Sequence, residues 1–181
     1  MKNVSIIIVN WNGKQDTLEC LRSLNNVSLI TCHLSLIVVD NGSIDGSVET
    51  IRKKFPSVDV IENKENLGFT GGNNIGIKKA LADGADFIWL LNNDTTVDKN
   101  ALEKLIDAFE DQPVGIGGSK IYFSPGHEYH GQRYKKSEEG KVLWYAGGLI
   151  DWQNMYASHR GVDEVNSGQY DKIEETPFIT G

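Results

Sequence analysis

The feature that most limits how this chain can fold is a fourfold alternation of apolar runs with helical periodicity between Val4 and Phe109. Val4–Val9 is rich in β-branched residues, the pattern of a strand covered on both faces. Lys14–Leu24 follows, with Leu18, Leu21 and Leu24 at helical spacing. Leu34–Val39 is a second apolar run and ends at Asp40. Ser43 or Asp45 is placed to cap the next helix, where Val48, Ile51 and Phe55 recur before Pro56. Val58–Ile61 predicts a short third strand, and Gly72–Ala82 a helix stopped by Gly84. Phe87–Leu91 reads as a fourth buried strand. Asp98 then caps a helix carrying Leu102, Leu105, Ile106 and Phe109. Strand and helix in strict alternation predict an α/β fold, a Rossmann-like and mostly parallel sheet with right-handed crossovers and helices on both faces.

Beyond Phe109 the alternation stops. Val114–Phe123 and Val142–Trp152 read as strands, Ser124–Lys141 as a polar loop, and Ser158–Thr176 as acidic and irregular. These changes set a boundary near Phe123, with an α/β domain over 1–123 and a partial second segment over 124–181. The 181 residues carry 25 acidic against 18 basic side chains, a net charge of −7. Such a chain is a poor partner for nucleic acid or anionic lipid, so a phosphate-bearing ligand needs a metal or backbone amides. Cys20 and Cys32 form no CxxC pair, and Cys20 lies among leucines as a small core residue. The apolar run at the N-terminus is too short for a signal sequence or a membrane span. A cytoplasmic protein is expected.

In an open α/β sheet, ligands bind beyond the carboxyl ends of the strands. Here those positions read Asn10-Trp11-Asn12-Gly13, Asp40-Asn41-Gly42-Ser43, Asn63 to Gly72, and Asn92-Asn93-Asp94. They are mostly small and polar although the strands feeding them are apolar, which favours a binding crevice on one rim. The chain has no GxxxxGK[ST] and no GxGxxG after its first strand, which argues against a P-loop and a nicotinamide or flavin site. Asp40 is suited to accept hydrogen bonds from a ribose or a base N–H, or to form a turn or helix cap. Asn66–Gly76 holds four glycines and three asparagines leading into a helix, a backbone open to an anionic ligand or to a surface loop. Asp94, a carboxylate beside two carboxamides, is suited to a hard cation when a diphosphate completes the shell, or to capping a helix. His127-Glu128-Tyr129-His130 has the wrong spacing for HExxH. Trp89 and, with less force, Trp144 and Trp152 read as core, sugar stacking being the other use for the last two.

Val9–Gly13, Val39–Ser47, Asn66–Asn74 and Leu91–Asp94 together resemble family-2 glycosyltransferases of GT-A fold, in particular a rhamnosyltransferase-like branch. The resemblance covers the first ~120 residues. It implies an inverting enzyme that takes a UDP- or dTDP-sugar, dTDP-rhamnose among them, and extends a cell-surface glycan or a lipid-linked sugar acceptor. It assigns Val9, Asn10, Asn12, Gly13, Asp40, Asn41, Asn66, Gly68, Gly72, Asn73, Asn92 and Asn93 to the nucleotide-sugar, and Asp94 to Mg²⁺ or Mn²⁺. Asn92 stands where the family's metal motif carries a first acid. The family's general base belongs to a later acidic segment that residues 1–181 do not contain, so none of these residues is assigned as catalytic. The acceptor-side half is therefore expected to be truncated, which leaves a non-catalytic nucleotide-sugar-binding fragment as one alternative. A nucleotidyltransferase is the other, with Lys14 as its basic residue. No nucleic-acid partner and no transmembrane segment are implied, and peripheral association at the inner face of the membrane is compatible with this reading.

Overall fold

The computed structural model describes residues 1–28, 32–111, 115–130 and 133–180, and separates into two compact units, Met1–Lys104 and Leu105–Thr180. In the first unit the order is β1 (Lys2–Asn10), α1 (Lys14–Leu24), β2 (Cys32–Asp40), α2 (Ser47–Lys54), β3 (Asp59–Glu62), α3 (Gly68–Ala82) and β4 (Phe87–Asn92). The four strands are all parallel and lie in the order β3-β2-β1-β4. Right-handed crossovers then fix the layers. The connections β1-α1-β2 and β2-α2-β3 step in one direction across the sheet, whereas β3-α3-β4 returns past β1. Hence α1 and α2 cover one face and α3 the other, as the alternation predicts. Ile7, Ile37, Val39 and Ala80 form the core beneath α3, with Ile61, Ile75 and Ile88 at its margin. Ile6, Ile8 and Val38, pointing the opposite way, are equally inaccessible.

The start of α3 differs from the sequence reading. The helix begins at Gly68 rather than Gly72, so part of the glycine-rich stretch is helix. Asn66 Oδ1 accepts the Gly68 N–H at 2.8 Å, and Asn73 Nδ2 donates to the Phe69 carbonyl at 3.0 Å, which ties down the first turn. Its end is as expected. Gly84 adopts φ 81°, its N–H reaches the Leu81 carbonyl and that of Ala85 the Ala80 carbonyl, a Schellman closure. The strand β4 also departs from expectation. It pairs with β1 at the sheet margin, so Phe87, Ile88, Trp89 and Leu91 are half-buried and Leu90 is exposed.

The helix α4 (Ala101–Asp111) follows, the division between units falling within it. The second unit holds β5 (Ile121–Tyr122), β6 (Leu143–Tyr145), β7 (Gly148–Asp151) and β8 (Tyr156–His159), paired antiparallel as β5-β6 and β7-β8. The strand expected over 114–123 shrinks to two residues, with Val114 outside the described residues. Gly115, Gly117 and Gly118 weaken the extended chain, and the last two sit where a Cβ would strike Phe109 and Ile179. The run expected over 142–152 is split by Gly147, whose φ of 120° ends β6 before β7 begins. Ser158 and His159, read as irregular, complete β8. Trp144 is half-buried with its ring edge-on to His159, while Trp152 is exposed on the β7–β8 turn, contrary to a core role. Cys20 and Cys32 are free and buried, and burial pushes the Cys20 thiol up to about 12.

Candidate functional site

Strand register brings the first two motifs together. Asn10 pairs with Asp40 as the last residues of β1 and β2, and both side chains point to the α1 face. Asn10 Nδ2 donates to Asp40 Oδ1 at 2.7 Å and to Ser43 Oγ at 3.1 Å. Each residue also organises its own following turn. Asn10 Oδ1 accepts the Gly13 N–H at 3.2 Å, and Asp40 Oδ2 accepts the Ser43 N–H at 2.8 Å. These are the local side chain-to-backbone bonds that favour Asn and Asp at turns. Asn12 completes the first turn at φ 52°, a conformation Asn tolerates, and its Oδ1 accepts the Ile44 N–H. Asp45, expected as a cap, accepts the first N–H of α2 from just before Gly46.

Between the ends of β1 and β4 the chain reverses direction across the sheet, the switch point at which such folds open a crevice. A cleft of about 250 Å³ lies there, lined by Val9, Trp11, Asn41, Asn66, Gly68, Phe69, Leu91, Asn92 and Asn93. Six of the predicted residues thus share one cavity: Val9, Asn41, Asn66, Gly68, Asn92 and Asn93. Asn10 and Asp40 are buried within the hydrogen-bonded network, and Asn12 and Gly13 form the β1–α1 turn. Asn41 Nδ2 donates to the Gly68 carbonyl at 3.0 Å while its Oδ1 accepts from Asn63 at 2.8 Å, fastening the start of α3 to β2. Gly72 and Asn73 are buried. A Cβ on Gly72 would come within 2.8 Å of Val9 Cγ1, so its bareness serves the approach of α3 to β1.

Asp94 follows Asn92 and Asn93 and is exposed, with no hydrogen bond or ion pair among the described residues. Those residues gather no cluster of three His, Cys, Asp or Glu side chains. One unpaired carboxylate with two neighbouring carboxamides suits a hard divalent cation that draws its other oxygens from the ligand. In the second unit, Glu128 accepts the Gly126 and Gly140 N–H groups, and His130 Nδ1 bonds Asp163.

Trp11, Phe69 and Asn63 fall within the rim loops read from the sequence but were not singled out there, and neither was Leu91 in the cleft lining nor Thr17 in its support. Trp11 and Phe69 had a signal: each is a large aromatic inside an otherwise polar motif, and each is exposed here. Thr17 had a weaker one, a hydroxyl on the apolar face of α1.

Relatives match this chain over only part of their own length. Glycosyltransferase AglE of Haloferax volcanii is 25% identical over 124 residues, spanning 67% of this chain and 40% of that protein. The S. aureus TarS 1-349 structure in complex with UDP-GlcNAc superposes with a TM-score of 0.55 at 21% identity, covering 68% of this chain and 38% of that one. Mannosyltransferase PcManGT from Pyrobaculum calidifontis, in complex with GDP-Man and Mn²⁺, gives a TM-score of 0.53 at 20% identity over 62% of this chain and 33% of its own. The chain spans about 40% of the curated relative's length. The family model for glycosyl transferase family 2 matches residues 5–166, and with most of its length inside that match the chain belongs to this family.

Proposed function

We propose that this chain provides the donor side of an inverting glycosyltransferase that uses a UDP- or dTDP-sugar, dTDP-rhamnose being one such donor, to extend a cell-surface glycan or lipid-linked acceptor. The observation that carries the reading is the cleft at the β1/β4 switch point, with Asp40 held at one strand end and Asp94 unpaired at another. In this reading residues 1–123 serve the donor and residues 124–181 begin the acceptor side. The nucleotide base lies toward Asp40, and the exposed rings of Trp11 and Phe69 offer flat faces to base or sugar. Asn66 and the backbone at Gly68 line the sugar and phosphate path.

Asp94, aided by Asn92 and Asn93, would hold Mg²⁺ or Mn²⁺. The cation would neutralise charge on the departing diphosphate. The chain's own residues bind and orient the donor for attack on the face opposite the diphosphate. The neighbour that holds UDP-GlcNAc supports a nucleotide-sugar in this fold, and the neighbour that holds GDP-Man with Mn²⁺ supports a divalent ion. No helix among the described residues is long and apolar enough to cross a membrane, which is compatible with a cytoplasmic enzyme at the inner membrane face. A nucleotidyltransferase is less well supported, since the Lys14 ammonium donates to the Asp45 carbonyl.

Calorimetry with UDP and dTDP, in Mn²⁺ and in EDTA, tests the reading. Binding that strengthens with the metal is expected; absence of binding to either nucleotide would refute it.

A further inference from the structure

We propose that Thr17 is a positioning residue, the middle link of a buried relay that holds Asp40 in place for base selection from the strand end that carries Asp94. The inference rests on the donor-site reading above. Asn93 Nδ2 donates to Thr17 Oγ1 at 3.1 Å, Thr17 Oγ1 donates to Asn10 Oδ1 at 2.8 Å, and Asn10 Nδ2 donates to Asp40 Oδ1 at 2.7 Å. The relay therefore joins β4, α1, β1 and β2 beneath the cleft. Thr17 and Asn10 have no accessible surface, so water does not substitute for either link.

The direction of every bond follows from the groups present. Asp40 accepts, so Asn10 must turn its amide nitrogen toward it and its carbonyl oxygen toward Thr17. That oxygen takes the single hydroxyl proton of Thr17, and Thr17 must then receive an N–H from Asn93. All donors point toward the Asp40 carboxylate, the arrangement in which successive hydrogen bonds polarise one another. Gly13 leaves the space the relay needs. A Cβ there would lie 2.5 Å from Asn93 Nδ2 and 3.2 Å from Asn10 Oδ1. Without the hydroxyl, the Gly13 N–H at 3.2 Å is the one other group among the described residues fixing the Asn10 carbonyl oxygen, and a reversed Asn10 amide would set an oxygen against the carboxylate.

The test is the ratio of UDP to ADP affinity, measured by calorimetry on the 181-residue chain with Thr17→Val and Thr17→Ser. Valine preserves shape without the hydroxyl, and serine restores it. The expected result is a fall of about tenfold in the ratio for Thr17→Val, through weaker UDP binding, with recovery in Thr17→Ser. A merely structural role would lower the melting temperature and leave the ratio unchanged. A folded Thr17→Val that keeps the wild-type ratio overturns the inference and leaves the donor-site reading standing. Wild-type protein that does not distinguish UDP from ADP overturns both. Should Thr17→Val fail to fold, Thr17→Ala removes the same hydroxyl with a smaller side chain: a reduced ratio supports the inference, and an unchanged one overturns it.

Discussion

Replacing Gly76 by alanine sets two effects of opposite sign against each other, and the geometry decides between them. In an open helix Gly→Ala stabilises by about 1 kcal/mol. At position 76 the added Cβ would lie 2.4 Å from Ile7 Cγ2, with Cγ1 and Cδ1 of the same side chain at 3.2 and 3.3 Å. Carbon atoms rest about 3.5–4.0 Å apart, so relief requires a shift on the order of 1 Å. Ile7 is fully buried on the central strand, packed with Ile37, Val39 and Ala80. Overpacking of this kind costs about 1–3 kcal/mol, which exceeds the propensity gain over most of its range. The expected net loss reaches about 2 kcal/mol, a fall in Tm of up to about 8 °C for a chain of this size. Gly68 and Phe69 at the start of the same helix line the cleft, so nucleotide binding should weaken as α3 is displaced. Thermal unfolding followed by circular dichroism, with Ile7→Ala alone and combined with Gly76→Ala, completes a double-mutant cycle in which the two changes should be markedly less than additive. A rise in Tm for Gly76→Ala would show that α3 does not rest on β1 through this glycine.

Three further outcomes are expected. Asp94→Asn should abolish the gain in UDP affinity that Mn²⁺ produces while leaving Tm unchanged, because the side chain is exposed and unpaired; calorimetry with and without EDTA measures it. Asp40→Ala should weaken UDP about ten- to a hundredfold and ADP little, the loss of a hydrogen bond to a charged group. It should also lower Tm, because Asn10 Nδ2 loses one of its two acceptors and the Ser43 N–H loses its own; equal weakening of both nucleotides would remove Asp40 from base recognition. In the second unit, the Tyr134 hydroxyl leads the groups that hold Asp163 below its usual carboxylate range, with His130 and Arg133 beside it. A depressed carboxylate contributes stability above its unfolded pKa that is lost as pH falls through the folded one. Tyr134→Phe should therefore destabilise at neutral pH, with the difference from wild type shrinking in acid; a difference independent of pH in urea titrations would refute the assignment.

The parallel sheet was legible because its strands are written in apolar runs and its helices in spaced leucines. Leu18, Leu21 and Leu24 mark the buried side of α1, and Gly84 closes α3 where the sequence places it. The cleft was legible as a set of polar strand ends, since Asn10, Asp40 and Asn92 each terminate an apolar run. The start of α3 was not, because glycine disfavours helix by local propensity and only the bonds from Asn66 and Asn73 reveal that the helix begins early. The half-burial of β4 was equally hidden. An apolar run states that a strand can be covered, and strand order decides whether it is.

Asn10 and Asp94 show why a motif read residue by residue merges two kinds of work. Both lie at strand ends and both carry a carbonyl-type oxygen, yet Asn10 is fully enclosed with both ends of its amide engaged, whereas Asp94 is exposed and has no hydrogen bond or ion pair among the described residues. An enclosed amide with fixed partners cannot follow a ligand, so it influences binding only through the carboxylate it holds. An unpaired carboxylate at the rim contributes little to the fold and gains a partner only when charge is brought to it. Substitutions among Asn10, Thr17 and Asp40 should therefore change which nucleotide is preferred together with stability, because the same bonds serve both. Those at Asp94 should change how strongly a diphosphate is held and depend on the metal, because no bond of the folded chain is lost.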